Sequence, residues 1–222
     1  MSLLLQREIE KVKRMILSLS AVVEESVQKA VTSIERRDVS LAREVIGTDN
    51  LIDQAEVDVE EECLKILALH QPVAGDLRLI IAVLKINNDL ERIGDLAVNI
   101  AHRTLFLCSQ PEVPPPVDFT EMSRRTLDMV HQSLDALVNM DAPAARAVLG
   151  ADDEVDAINR QMFKRIFAAI RANPERTECL QSYSSATRYL ERIADSATNI
   201  AEDVIYLVEG RIVRHGVSEP SK

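Results

Sequence analysis

Apolar residues recur every three or four positions over several long stretches of the chain, which is the spacing of one face of an α-helix. The first stretch runs from Ile9 to Ile34, inside a helix predicted over residues 3–36. Pro72 ends a second stretch because proline cannot continue a helix, and a third stretch reaches about Leu107. No segment of useful length alternates apolar and polar residues, so the pattern predicts helices and no strands.

The pattern predicts three helices in each half of the chain. The long helices are expected at about residues 3–36, 48–70 and 73–107 and at about residues 119–139, 152–172 and 176–209. A short helical segment is expected before the second long helix of each half, opened by the capping residue Asp38 or Asp141. Pro143 suits the first turn of the second of these segments, and Gly47 is expected to stop the first.

The two halves of the chain are an internal duplication. Residues 90–101 and 190–201 are identical at nine of twelve positions, with an offset of 100. A weaker match, with an offset of 103, relates residues 38–53 to residues 141–156. Helical periodicity alone would pair apolar residues with apolar residues, but it would not repeat Glu, Arg, Asp and Asn at the same places. The repeat therefore reflects a duplicated structural unit.

Four prolines between positions 111 and 116 separate the two halves. The predicted organisation is a first repeat over residues 1–108, a proline-rich linker over 109–118, a second repeat over 119–210 and a tail over 211–222, which is expected to be frayed. We therefore predict an all-α fold of two tandem three-helix bundles related by pseudo-symmetry.

The composition supports this fold and argues against one class of partner. Hydrophobic residues make up 46% of the chain and aromatic residues 3%, which favours helices packed in bundles. The net charge of -10 argues against nucleic acid, because binding it requires clustered Lys and Arg. The N-terminus turns charged too soon for a signal peptide, and no apolar run is long enough to span a bilayer. We therefore expect a cytoplasmic protein that reaches the membrane only through partners. Its three scattered cysteines form no disulfide framework.

Pairs of acidic residues four positions apart occupy one face of a helix in each half. They are Asp49 and Asp53, Glu91 and Asp95, Asp152 and Asp156, and Glu191 and Asp195. Carboxylates at this spacing repel each other by a few tenths of a kcal/mol. At a spacing of three or four residues, Asp95 could pair with Arg92, Asp156 with Arg160 and Glu191 with Arg188. No Lys or Arg stands at that spacing from Asp49, Asp53, Glu91 or Asp152.

If the second and third helices of a half are antiparallel neighbours, its two acidic pairs meet and four carboxylates converge. Such a cluster requires a cation, and carboxylate oxygens suit Mg, Mn, Ca, Fe or Zn. The alternative is that the pairs are ordinary solvated helix faces. Their repetition in both halves favours metal binding.

At these residues the chain resembles the PhoU family, which is identified by a duplicated three-helix unit carrying an E(D)xxxD motif. The motif stands here at Glu91 and Asp95 and again at Glu191 and Asp195, and the segment over 71–78 is similar to the family's turn before its third helix. The resemblance covers about residues 5–210. Ala194 stands where the family has Gly, and Ser196 where His is common.

The resemblance implies a cytoplasmic negative regulator of phosphate uptake and of the phosphate regulon. PhoU proteins look like adaptors between the phosphate ABC transporter and a sensor histidine kinase, and they are usually dimers. We therefore expect a homodimer that is not an enzyme and has no catalytic residues. Family members carry iron or zinc clusters on the acidic motifs. The residues that match these metal ligands are Asp49, Asp53, Glu91, Asp95, Asp152, Asp156, Glu191 and Asp195.

Two other functions remain open from the sequence. The first is a di-metal carboxylate enzyme, either an oxidase or a phosphohydrolase. Ferritin-like oxidases use Glu-x-x-His pairs, and no Glu in this chain is followed by His three residues later. A phosphohydrolase lacks support because no nucleophile or glycine-rich phosphate loop is visible. The second is a helical scaffold that binds no metal and contacts a basic partner through its acidic faces.

Overall fold

The computed structural model describes residues 3–211, and within that range it contains six long α-helices and no strand. The helices are α1 (Leu3–Arg36), α2 (Val39–His70), α3 (Ala74–Ser109), α4 (Thr120–Asn139), α5 (Ala142–Ala172) and α6 (Thr177–Glu209). A single 3₁₀ turn, Pro174–Arg176, precedes α6. The prediction of an all-α fold with three helices in each half is confirmed. The predicted tail lies outside the described residues apart from Arg211.

The prediction of a short helix that stops near Gly47 is wrong, because α2 is continuous from Val39 to His70. The equivalent helix α5 likewise runs through Gly150 without a break. A glycine inside a helix costs about 1 kcal/mol relative to alanine. Here the buried stripe on both sides of the glycine, which includes Val45 and Ile52, packs on the core and keeps the helix intact.

The predicted helix caps form as expected. The carboxylate of Asp38 accepts a hydrogen bond from the Leu41 backbone N–H at 3.0 Å, and that of Asp141 accepts one from Ala144 at 2.9 Å. Each bond satisfies a donor that the first turn leaves without a partner. The two acidic helices therefore begin in the same way in both repeats.

The two repeats share one arrangement of helices. In the first, α1, α2 and α3 pack on one another, and in the second α4, α5 and α6 do the same. The repeats meet through α3 on α6 and α1 on α4. Each position in residues 79–100 has the same class of burial as its equivalent in residues 179–200. The duplication seen in the sequence is thus a duplication of the packing.

The segment between α3 and α4 is anchored to the second repeat. The hydroxyl of Tyr183, which is fully buried on α6, donates a hydrogen bond to the Val113 carbonyl at 2.9 Å. Phe119 packs near the same ring, with ring centroids 6.3 Å apart. These contacts fix the connection between the repeats.

The cysteines lie apart and form no disulfide. Cys63 and Cys179 are buried, and burial raises the pKa of the Cys63 thiol to about 12. They act as small apolar residues in the core. No helix within residues 3–211 is long and apolar enough to cross a membrane.

Candidate metal centre

The first acidic cluster forms where α2 packs on α3. Asp49 and Asp53 lie on α2, while Glu91 and Asp95 lie on α3. Burial raises the pKa of the Glu91 carboxyl most, and the charges of Asp95, Asp53, Glu56 and Asp49 add to the shift. Burial, Asp53 and Asp95 raise the pKa of Asp49 in the same way. The two predicted pairs therefore lie side by side.

The second cluster repeats this arrangement where α5 packs on α6. Burial raises the pKa of Asp152 to about 6, and the charges of Asp195, Asp156 and Asp153 add to the shift. The pKa of Glu191 is raised by burial and then by the charges of Asp195, Asp156 and Asp152. Asp152, Asp156 and Glu191 are only partly exposed to water, so each carboxylate destabilises the charged form of its neighbours.

Glu56 belongs to the first cluster although it was not predicted from the sequence. It follows Asp53 by three residues and Asp49 by seven, so all three lie on the same face of α2. The buried amide of Asn87 on α3 donates to the Glu56 carbonyl at 2.8 Å and to its Oε1 at 3.1 Å. That contact holds the carboxylate beside the cluster. The helical spacing was the available signal, but position 159 in the second repeat is Asn, so the repeat did not draw attention to it.

The two clusters differ in how far nearby cations neutralise them. In the second, Arg160 forms an ion pair with Asp156 at 3.0 Å, as its spacing predicted. The charges of Arg92 and Arg192 lower the pKa of Asp195 against the dominant effects of burial and of Asp156. Arg92 thus acts across the repeat boundary, whereas its sequence position suggested pairing with Asp95.

No side chain in the described range forms an ion pair with an acid of the first cluster. His102 acts on this cluster, and its charge, when present, lowers the pKa of Asp49 against the larger effects of burial and of neighbouring acids. His102 is exposed on α3 and has Glu202 as its counterpart. The first cluster is therefore the more negative of the two.

The donor set of both clusters fits a cation, because carboxylate oxygens are the ligands of Mg, Mn, Fe and Zn. As the side chains stand, no three His, Cys, Asp or Glu groups within residues 3–211 are close enough together to hold one ion. Without a cation, like charges favour separated rotamers. Binding would require the carboxylates to turn toward one another about bonds that rotate freely at the surface.

Asn99 and Asn199, each four residues after the second acid of a pair, form hydrogen bonds within or between helices. Asn99 donates to the Asp95 backbone carbonyl at 2.9 Å, and Asn199 donates to the Asp89 carboxylate at 3.3 Å. Asn199 therefore links α6 to α3.

Comparison with known families agrees with this duplicated architecture. The family model described as "PhoU domain" matches the chain twice, over residues 16–104 and 119–204. The chain belongs to the PhoU family. Each matched PhoU domain covers one of the two three-helix repeats and contains one acidic cluster.

Curated PhoU relatives match over most of their length. A protein from Aquifex aeolicus named "Phosphate-specific transport system accessory protein PhoU homolog" is 39% identical over 94% of this chain and 95% of its own. The Escherichia coli protein named "Phosphate-specific transport system accessory protein PhoU" is 31% identical over 94% of this chain and 86% of its own.

Solved PhoU structures share the fold. The crystal structure of PhoU from Pseudomonas aeruginosa superposes with a TM-score of 0.88 at 38% identity, covering 93% of this chain and 99% of the other. The crystal structure of the phosphate transport system regulatory protein PhoU from Streptococcus pneumoniae superposes with a TM-score of 0.85 at 27% identity. It covers 94% of this chain and 99% of the other. The resemblance recognised in the acidic motifs therefore extends to the whole architecture.

Proposed function

We propose that this chain is a cytoplasmic negative regulator of phosphate uptake and of the phosphate regulon. Membership of the PhoU family and the names of its relatives support a role in regulating phosphate transport. In the finer proposal, the protein is a homodimeric adaptor between the phosphate ABC transporter and a sensor histidine kinase, without enzymatic activity. It reaches the membrane only through these partners.

The same proposal assigns a metal site to each repeat. The observation that carries it is the placement of two acidic pairs on packed neighbouring helices in both halves, where burial and the charges of the other acids raise the pKa values of Glu91 and Asp152. The ligands are Asp49, Asp53, Glu91 and Asp95 in the first repeat and Asp152, Asp156, Glu191 and Asp195 in the second. Iron or zinc fits these oxygen ligands, as do Mg and Mn. A bound cation would offset both the burial and the mutual repulsion that raise the pKa values of these carboxyl groups.

Metal analysis of protein purified without chelator tests this assignment. We expect metal in the wild-type protein and a loss of about half of it in Glu91→Gln/Asp95→Asn, because one of two clusters is disabled. The control Asp128→Asn/Asp135→Asn removes the same charge from exposed positions on α4, outside both clusters. It is expected to keep the wild-type content.

Near-zero metal in the wild-type protein would overturn the metal assignment. It would then favour the metal-free scaffold, the second candidate function, in which the acidic faces contact a basic partner. The separation of the carboxylates as they stand is the observation that keeps this candidate open.

The regulatory role is tested separately in cells. A strain that lacks this gene is grown in abundant phosphate, and its alkaline phosphatase activity is measured. Constitutive activity that the wild-type gene returns to a low level is the expected result, because the adaptor would keep the kinase from activating its response regulator. Unchanged repression without the gene would contradict the role as a negative regulator.

A further inference from the structure

The second helices of the two repeats carry opposite charge over equivalent segments. Residues 54–69 of α2 include five acids and one lysine, whereas residues 157–172 of α5 include four cations and no acid. The two segments are related by the offset of 103 that aligns the repeats. Except for the buried Glu62, the charged side chains of both segments are exposed or half-buried, so the difference in charge lies mainly at the surface.

The α5 segment exposes an aromatic pair among these cations. Phe163 is 52% exposed and Phe167 is 47% exposed, with their rings stacked at a centroid distance of 6.2 Å. The guanidinium of Arg171 lies 4.8 Å from the Phe167 ring centroid. Lys164 is exposed beside them and forms no ion pair with any described residue. Exposed stacked phenylalanines ordered by an arginine are typical of a surface that another molecule covers.

The α2 segment exposes apolar residues among carboxylates. Val57 and Leu64 are exposed, and so are Glu60 and Glu61 between them. The two glutamates form no ion pair within residues 3–211. These four side chains are spaced three or four residues apart and share the outward side of the helix.

The two surfaces are complementary in charge and similar in apolar content. Glu61 is equivalent to Lys164, and Leu64 is equivalent to Phe167, although the other members of the two surfaces do not correspond position by position. The α5 surface joins cations to exposed phenylalanines, and the α2 surface joins carboxylates to exposed Val57 and Leu64. Helical faces that join apolar anchors to opposite charges form specific contacts.

We propose that the α5 surface of one copy docks on the α2 surface of a second copy. Phe163 and Phe167 would pack against Val57 and Leu64, while Lys164 and Arg171 would face Glu60 and Glu61 of the other chain. In a closed two-fold dimer the contact forms twice, once in each direction, and without closure it would build chains of molecules. This inference names the interface of the proposed homodimer and therefore rests on that part of the proposed function.

Charge reversal on each surface tests the contact. Glu60→Lys/Glu61→Lys makes both surfaces basic, and Lys164→Glu/Arg171→Glu makes both acidic. Measured by sedimentation velocity over a range of concentrations, each variant alone is expected to dimerise about a hundredfold more weakly than wild type. An equimolar mixture of the two variants is expected to regain the wild-type dimer, because each then meets an opposite surface.

Recovery of the dimer in the mixture would show that both variants are folded, because a variant that cannot fold would not form the mixed dimer. Circular dichroism of each variant alone would show a loss of folding directly. As a control, Asp128→Lys/Asp135→Lys changes the net charge as much as the α2 variant does, at exposed positions on α4. We expect this control to dimerise as wild type does.

Two results would overturn the inference, and they are distinguishable. A wild-type protein that is monomeric at all concentrations removes the proposed dimer and this interface together, while the metal and phosphatase tests stand unaffected. A wild-type dimer that both charge-reversal variants retain removes this interface alone.

Discussion

The two repeats keep the same scaffold but surround their acids differently. In the first, five carboxylates including Glu56 lie together without an ion pair within the described residues. In the second, Arg160 pairs with Asp156, while Arg92 and Arg192 act on Asp195. The comparison teaches that the duplication preserved the positions of the four paired acids while the neutralising charge diverged. If these acids hold the proposed cations, the two clusters are expected to bind them with unequal affinities.

The largest expected effect is on metal affinity, and it separates the two clusters. In Glu191→Gln/Asp195→Asn only the first site remains, and in Glu91→Gln/Asp95→Asn only the second. We expect the remaining first site to bind Mn(II) more tightly in calorimetric titration, because fewer cations oppose the ion. Each disabled site is expected to weaken by more than about 100-fold, since even the loss of an outer partner costs 10–100-fold.

Equal affinities at the two remaining sites would contradict the electrostatic comparison. Arg160→Gln gives a matched check, because it removes one cation from the second cluster without touching a ligand. We expect this change to reduce the difference in Mn(II) affinity between the two sites.

The next effect concerns the packing of α2 on α3. A methyl group added at Gly94 would lie 3.0 Å from Ile52 Cδ1, whereas the second repeat has Ala194 and the smaller Val155 at the equivalent positions. We expect Gly94→Ala to lower the free energy of unfolding by about 1–2 kcal/mol, because overpacking exceeds the gain in helix propensity. Adding Ile52→Val to the Gly94→Ala variant should restore most of the lost free energy of unfolding, as measured by urea denaturation in a double-mutant cycle.

If Ile52→Val costs as much in the Gly94→Ala background as it does alone, the two positions are uncoupled. That outcome would show that the paired difference between Gly94 with Ile52 and Ala194 with Val155 does not reflect a packing constraint. The expected cost of Ile52→Val alone is about 0.5–1.5 kcal/mol.

A smaller effect on stability is expected from the ion pairs that join the first two helices of each repeat. Glu62 on α2 binds Lys11 Nζ at 2.6 Å and Lys65 Nζ at 3.1 Å, whereas Arg125 and Glu154 join α4 to α5 in the second repeat. Glu62→Gln should destabilise the protein by about 1–2 kcal/mol at pH 7 in urea denaturation, because a nearly buried, charge-assisted bond is lost.

The same contact predicts a pH dependence. The hydrogen bond from Lys11 is the main cause that lowers the pKa of Glu62 from 4.5 to about 2. A group with a lowered pKa in the folded state stabilises the fold above its unfolded pKa and loses that contribution as the pH falls. The difference between wild type and Glu62→Gln should therefore shrink between pH 5 and pH 2, and a constant difference would contradict the contact.

The smallest effect treats both repeats alike. Gly47 and Gly150 lie inside continuous helices, and a methyl group at either would touch nothing within 4 Å. Gly47→Ala and Gly150→Ala are each expected to stabilise the protein by about 0.5–1 kcal/mol, because alanine loses less backbone entropy on folding. Thermal unfolding would measure both, and destabilisation at either position would show that the helix needs a glycine there.

The sequence was sufficient for the features that repeat. The helical periodicity, the capping aspartates Asp38 and Asp141 and the paired acids were all visible because the duplication displays each of them twice. The continuity of α2 through Gly47 could not be predicted from the sequence. Local helix propensity favours a helix end at the glycine, and it is the packing of the whole buried face of α2 that keeps the helix continuous.

Features that depend on one repeat alone, or on contacts between repeats, could not be predicted. Glu56 joins the first cluster, yet its counterpart is Asn159, so the duplication concealed it. Arg92 acts on Asp195 of the other repeat, a relation that follows from α3 packing on α6 and from no spacing along the chain.

The most direct test of the clusters is made in cells that lack the gene and carry a variant with Glu91→Gln, Asp95→Asn, Glu191→Gln and Asp195→Asn. Alkaline phosphatase activity is measured in abundant phosphate, with the variant present at wild-type abundance and folded by circular dichroism. If the acidic clusters hold the metal that regulation requires, the activity is constitutive, as in cells without the gene. Repression equal to that given by the wild-type chain would contradict this, and the clusters would then be dispensable for regulation.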